Sequence, residues 1–314
     1  MDAYYWNKRL NPFWLNSIRQ LYNSGGNITE FLREEFDESS NSSEIIEIAY
    51  DAQAGNVFSE YTTIPKETEL INSNAEELYS HLIPHLFQGC SLMDVGTGEL
   101  LTLSLICKNI DIPIDVLAFD ISWSRLYKGR KIWDQNIPNQ NLTLSSFVAD
   151  MKKIPLLSKS IDITTSMLAL EPNGRNLEIL LKELFRVTKG KCVLFEPSYK
   201  HNSDEGKKRM DRLGYIKDIE ETAENLGGRI IDVIPLKKVL NPLNLPACFV
   251  IEPSRNDITN EHNADRFTVP GTDFPLTLDE EFLTSTDTGL VFPILKEIPI
   301  LKEDAAILAT SLFE

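Results

Sequence analysis

The sequence is poor in cysteine and histidine, with four of each in 314 residues, and poor in positive charge. Cys90, Cys107, Cys192 and Cys248 are scattered and form no C-x-x-C pair, which excludes a disulfide framework and fits a reducing cytoplasm. Cys107, Cys192 and Cys248 sit in apolar stretches and read as small buried hydrophobes. No apolar run approaches the roughly 18–20 residues of a membrane span. The polar, aromatic start has no basic region leading into an apolar one, so it does not read as a signal peptide. Lys and Arg number 31 against 47 Asp and Glu, a net charge of −16. That balance argues against a general nucleic-acid binder, which must neutralise phosphates, but leaves room for a local basic groove. What remains is 42% apolar and 25% charged, the mix of a soluble globular protein long enough for roughly two domains.

Three regions differ in texture. Residues 1–88 are irregular and helical in pattern, with helices expected over 7–21 and 74–87, the second interrupted by Pro84. The polar run Ser39-Ser40-Asn41-Ser42-Ser43 can N-cap a helix carrying Ile45, Ile46, Ile48 and Ala49. Tyr4, Tyr5, Trp6, Phe13 and Trp14 read as packing aromatics. Residues 89–252 alternate strands (91–96, 114–120, 142–150, 162–170, 191–196) with helices (99–109, 122–136, 176–188, 204–226). This pattern predicts an α/β fold of right-handed βαβ units around a mostly parallel sheet. Two further strands, 229–239 and 247–251, are joined by a linker too short for a crossover and should pair antiparallel. Residues 253–314 read as a small β-rich module ending in a helix over 303–312, too small to be stable without a metal or a partner surface.

The chemistry concentrates in Leu92-Met93-Asp94-Val95-Gly96-Thr97-Gly98-Glu99-Leu100, an apolar strand joined to a helix through two glycines. Glycines there allow a tight turn and close approach of a ligand to backbone N–H groups, at the carboxyl edge where nucleotide-like ligands bind. Asp120 ends the next strand, 22 residues after Gly98, and can accept both hydroxyls of a ribose. Asp150 ends the third strand, so three successive strands end in or pass through a carboxylate at one edge. A dinucleotide brings a pyrophosphate, for which G-x-G-x-x-G provides; here the third position is Leu101, and Asp94 and Glu99 would repel the phosphates. S-adenosylmethionine brings an ammonium and a sulfonium, which carboxylates attract by about 1 kcal/mol in water and up to roughly 4 at a partly buried site. The sign favours S-adenosylmethionine.

Residues 88–252 resemble a class I S-adenosylmethionine-dependent methyltransferase, through Asp94-Val95-Gly96-Thr97-Gly98, Asp120, Ala149-Asp150-Met151, Ile161-Asp162-Ile163-Thr164-Thr165-Ser166 and Arg186-Val187-Thr188-Lys189-Gly190-Lys191. Leu100 stands where many members have a third glycine. The resemblance implies a Rossmann-like seven-stranded sheet whose last pair includes an antiparallel strand. It implies that Asp94 and Gly96 bound the methionine pocket and that Asp120 holds the ribose, with Thr97, Gly98, Glu99 and Ile121 also among the cofactor-binding residues. Asp150 and Met151 then lie beside the adenine, and Met167 is a further cofactor-binding candidate. S-adenosylhomocysteine is the implied product, and no metal is expected.

The tail resembles the second half of small zinc-ribbon proteins that activate methyltransferases, which carry C-x-x-C before Gly-Leu-x-Phe/Tyr-Pro-Ile. Here Gly289-Leu290-Val291-Phe292-Pro293-Ile294 follows Ser285 and Thr288, and an upstream pair maps onto Ser254 and Asp257. This set lacks the thiolates zinc prefers, so a metal-free tail packed on its own methyltransferase domain is expected; an unrelated β extension is the alternative.

The acceptor should meet the methyl donor above the fourth strand, near Met167, Leu168, Glu171, Pro172 and Asn173. Glu171 reads equally as a base and as a helix-start acid. Glu196-Pro197-Ser198-Tyr199-Lys200-His201 forms the other wall, where His201 is a candidate base or a plain surface histidine. Tyr50, Gln53 and Tyr61 are the expected lid over the cleft. Lys207-Lys208-Arg209 reads as a solvated helix face. The acidic charge favours a small acceptor, a sugar or biosynthetic intermediate, and no membrane. An RNA or protein methyltransferase with a built-in activator-like tail, a non-catalytic scaffold, and a dinucleotide oxidoreductase are the rivals.

Overall fold

The computed structural model describes residues 12–137, 142–254, 266–279 and 281–313. The expected aromatics at 4–6 lie outside them, as does most of the polar stretch 254–265. Among the described residues five helices come first: α1 (Pro12–Asn23), α2 (Ile28–Phe36), α3 (Ser43–Ala52), α4 (Asn56–Thr63) and α5 (Pro65–Leu82). Side chains set several of these starts. Asn27 caps α2, Ser42 caps α3 through Ile45 N, and Pro65 opens α5 at a position where its missing N–H costs nothing. Helix α5 begins well before the expected residue 74, and it ends at Leu82, followed by a single 3-10 turn over Ile83–His85 that holds Pro84. Ile45, Ile48 and Ala49 of α3 pack with Ile18, Ile28 and Leu32 in a separate small core.

The central sheet has seven strands in the order β3-β2-β1-β4-β5-β7-β6. These are β1 (Ser91–Val95), β2 (Ile114–Asp120), β3 (Leu142–Val148), β4 (Ile161–Met167), β5 (Thr188–Pro197), β6 (Arg229–Pro235) and β7 (Pro246–Glu252). The first five run parallel, and β7 is antiparallel to both β5 and β6, as the short linker requires. Helices α6 (Leu101–Cys107), α7 (Trp123–Asn136), α8 (Leu177–Val187), α9 (Asp204–Leu213) and α10 (Ile219–Asn225) cover its faces. The fold is therefore the Rossmann-like sheet expected. Two apolar clusters flank it, one holding Phe119, Phe147 and Leu194, the other Leu92, Val116 and Phe195. All four cysteines are buried and free.

Three expectations fail for local reasons. The single helix over 204–226 is two, because Gly214 takes a left-handed φ of 67° and closes α9. The helix after β1 starts at Leu101 rather than 99, because Leu100 itself is left-handed, with φ 57°. The closing helix over 303–312 does not form. Instead β12 (Ile307–Leu308) pairs with β10 (Leu290–Leu295), and short 3-10 turns flank it. A ten-residue segment is too short to hold a helix without a packed face, so the ladder wins.

The tail forms a five-stranded antiparallel sheet from β8 (Thr277–Asp279), β9 (Phe282–Ser285), β10, β11 (Ile298–Pro299) and β12. It docks on its own chain. Ile300 bridges Val148 in parallel at the exposed edge of β3, and Leu301 N donates to Val148 O at 2.8 Å. Phe267 meets Phe147 edge-on at 5.1 Å, and Phe292 and Leu301 are fully buried in the main core. The docking of this small module on its own chain is thus through a shared core, which also protects the β3 edge. No described helix is long and apolar enough to cross a membrane.

Candidate active site

The turn after β1 is built for close approach. Gly96 and Gly98 have φ of 67° and 60°, and a Cβ on Gly96 would fall 2.6 Å from the Ala169 Cβ. Asp120, at the end of β2, fixes this turn: Oδ2 accepts from Gly98 N at 2.8 Å and Oδ1 from Ser122 N at 2.9 Å. Asp94 is 2% exposed, and its Oδ1 has no hydrogen-bond partner among the described residues. Burial, with the Asp120 carboxylate nearby, pushes its pKa up to about 7. Met151 Cε lies 3.5 Å from the Gly96 Cβ position, and Asp150 and Ile121 line one cavity of about 350 Å³.

Helix α3 lies along this edge. Ser43 donates to Asp150 Oδ2 at 2.5 Å, and Asp51 Oδ1 accepts from Ser122 Oγ at 2.9 Å and Ser124 N at 3.3 Å. Tyr50 stands under the Arg125 guanidinium at 5.1 Å, and Arg125 in turn covers Gly98. The positions 43, 47, 50 and 51 share one helix face, so the polar stripe of α3 faces the strand ends while its isoleucines pack away. Glu99 is buried and spent on the N-terminal helices: it accepts from Gly55 N at 2.7 Å and Phe58 N at 3.2 Å, closing the start of α4.

Beyond β4 lies a second buried polar group. Leu168, with φ 56°, donates its N–H to Phe195 O, which turns the chain toward Ala169 and Leu170. Both their N–H groups donate to Glu196 Oε1, at 3.0 and 3.1 Å. Glu196 is fully buried, its Oε2 has no partner among the described residues, and burial pushes its pKa up to about 8. Glu171 follows, with Asn244 Nδ2 donating to Oε2 at 2.7 Å, and burial pushes its pKa up to about 7. Burial and then the Glu171 carboxylate raise both Tyr50 and Tyr215, so all three side chains share one environment. Arg209 stacks over Tyr215 at 5.2 Å.

Residues 93–195 match the sequence model of a family described as a methyltransferase domain. This match covers about a third of the chain. Solved structures that resemble the chain include the following three. The geranyl diphosphate C-methyltransferase of Streptomyces coelicolor A3(2) is 12% identical, with 56% of this chain and 75% of that chain covered and a TM-score of 0.42. An S-adenosylmethionine-dependent methyltransferase of Methanosarcina mazei is 16% identical, with 54% and 94% covered and a TM-score of 0.44. A chain from the complex of the Haloferax volcanii Trm112 methyltransferase activator with a methyltransferase is 12% identical, with 64% and 100% covered and a TM-score of 0.46. No curated protein sequence matches this chain.

In the structure the expected site residues divide. Asp94, Gly96, Thr97, Gly98, Asp120 and Met151 gather at one turn, with Ile121 and Asp150 at the adjoining cavity. Asn173 is buried, its amide 3.9 Å from Met151 Sδ, and Met167 closes β4. Other residues serve elsewhere. Tyr61 bonds Asn72 on α5, and Gln53 caps α3 through its backbone. Tyr199 bonds Asp211 and lies under Lys207 and Lys217, and His201 Nδ1 is 2.7 Å from Ser198 Oγ in its own turn. Arg209 does not belong to a plain solvated face, since it stacks on Tyr215. Sequence reasoning missed Arg125, Tyr215 and Asn244, which lie far apart in the chain and carry no motif. Glu196 had a signal: like Asp120 it is an acid at the end of a parallel strand.

Proposed function

We propose that the chain binds S-adenosylmethionine along the β1–β3 edge and methylates a small-molecule acceptor held between Glu171, Tyr50 and the Glu196 loop. The observation that carries this is Asp94: a buried carboxyl with an unpartnered oxygen beside a two-glycine turn suits a cationic ligand, whose ammonium would favour its ionised form. The residues present fit the cofactor. Asp94 faces its ammonium end, Asp120 has lone pairs left for the ribose hydroxyls, and Asp150 with Ile121 lies at the adenine. Bound there, S-adenosylmethionine supplies an electrophilic methyl group and leaves as S-adenosylhomocysteine.

The chain's own part is positioning and proton handling. Glu196 holds the Ala169–Leu170 backbone against Gly96, fixing the wall between donor and acceptor. Glu171, with a pKa near neutrality, takes the proton the acceptor loses, while Asn244 fixes its other oxygen. His201 and Tyr199 have no part in this reading. Tyr50 and Arg125 exclude water over the turn. The division proposed is a lid region over 1–88, the methyltransferase domain over 89–252 and an activator-like brace over 253–314. The brace reading draws on the Gly289–Ile294 resemblance and on the docking of the tail at β3. Four free cysteines suit a reducing cytoplasm.

Calorimetric titration with S-adenosylmethionine, S-adenosylhomocysteine and NAD tests the reading. Binding of both adenosyl ligands without NAD heat is expected. NAD heat, or no adenosyl binding, overturns it.

A further inference from the structure

We infer that the C-terminal tail is part of the cofactor site: Leu301 and Lys302 form the outer wall of the cavity that takes the adenosine end, and Lys302 latches helix α3 across it. The inference rests on the proposed cofactor reading and adds a binding role for a segment outside the methyltransferase domain.

The cavity next to Asp150 has a volume of about 350 Å³, within the roughly 300–1,000 Å³ usual for small-molecule sites. Three separate parts of the chain line it. Ile121 and Asp150 come from the ends of β2 and β3, where the sequence places ribose and adenine. Ser43 and Glu47 come from one face of α3, and Leu301 and Lys302 from the tail. The charges join these parts. Lys302 Nζ donates to Glu47 Oε2 at 2.8 Å, and its side chain is only 10% exposed. Asp304 adds a longer contact at 3.6 Å. Lys152 Nζ lies 3.0 Å from Ser43 Oγ, and Ser43 bonds Asp150. The tail's position is fixed independently by Leu301 N on Val148 O, one residue before the adenine loop begins. An apolar lining from Ile121, Pro270 and the aliphatic stem of Lys302, beside the Asp150 carboxylate, suits a purine nucleoside, which has a flat apolar face and polar edge groups. A mostly buried ion pair is worth more than a surface one, and removing one partner strands the other in poor solvent. The Lys302–Glu47 pair therefore ties lid closure to tail docking.

The test uses the full chain and S-adenosylhomocysteine as probe. Lys302→Met is expected to weaken binding about tenfold. The exchange of charges, Lys302→Glu with Glu47→Lys, is expected to recover most of that loss. Glu297→Ala, a tail change at the Arg130 contact outside this cavity, is expected to leave affinity unchanged. Should Lys302→Met fail to fold, photolabelling of the unaltered protein with an 8-azidoadenosyl analogue decides: label in the 299–304 peptide supports the wall. Wild-type binding with unchanged affinity in Lys302→Met, or label confined to residues 91–171, overturns the tail's role and leaves the cofactor reading standing. Absence of S-adenosylhomocysteine binding by the unaltered protein overturns the cofactor reading itself, and the tail's role with it.

Discussion

At the residue scale the molecule is organised around three carboxyls withdrawn from water: the buried Asp94 and Glu196, and the half-buried Glu171. Burial raises each, to about 7, 7 and 8, so each is held protonated in the fold over a range where the unfolded chain has lost its proton. Their stabilising contribution is therefore complete below pH about 4 and declines as pH rises to about 8. Glu196→Gln, which cannot ionise, should flatten the pH dependence of stability. Urea titrations at pH 5, 6.5 and 8 should show the variant losing less than the wild type, and parallel slopes would count against the shift. Glu171→Gln should separate binding from turnover. A kcat loss of about 10²–10³, of the size general-base removal gives, is expected with S-adenosylhomocysteine affinity unchanged and the neutral limb of the pH–rate profile gone.

At the scale of elements, the β1 turn is held by close backbone contacts more than by its motif. Leu100 adopts a left-handed conformation costing about 1–2 kcal/mol, yet its side chain is fully buried. Truncation at such a site costs about 2–5 kcal/mol, so burial outweighs strain and leucine is retained where glycine would relax. Helix α7 crosses the same turn at Gly129, where a Cβ would lie 2.6 Å from the Glu99 backbone. Gly129→Ala should therefore destabilise the fold by about 2 kcal/mol through overpacking and weaken adenosyl binding, read by chemical denaturation and calorimetry. The α3 stripe belongs to this scale too: Ser43 meets the end of β3, Glu47 the tail, and Tyr50 with Asp51 the start of α7, so the helix moves as one piece or not at all.

For the whole molecule, the tail and the sheet share one core. Phe292, Leu276 and Leu301 are buried with Phe147 and Leu156, and β3 would otherwise present an open edge. Thermal unfolding should accordingly show one transition. Phe292→Ala should cost about 3–5 kcal/mol and lower that single transition, monitored both by calorimetry and by tryptophan fluorescence. A separate early transition in the variant would mean that the tail folds as its own unit. The same docking brings Lys302 to Glu47, 255 residues apart in sequence.

The sequence by itself determined the alternation of strands and helices, the antiparallel last pair, the glycine turn and the acids at its edge. Each of these is a local signal: hydrophobic period, linker length, or a residue type at a strand end. The strand over 114–120 and the helix expected over 122–136 were legible for that reason. Tertiary structure decided what local signals cannot carry. The 303–312 segment became a ladder because β10 offered unpaired backbone. Glu99 went to the lid because the start of α4 lay within reach of its carboxylate. Glu196, Asn244, Tyr215 and Arg125 acquired their surroundings only when β5, the 241–245 loop, the stretch after α9 and α7 converged on one edge. Burial, which sets their charge states, belongs to the packed chain and not to any stretch of its sequence.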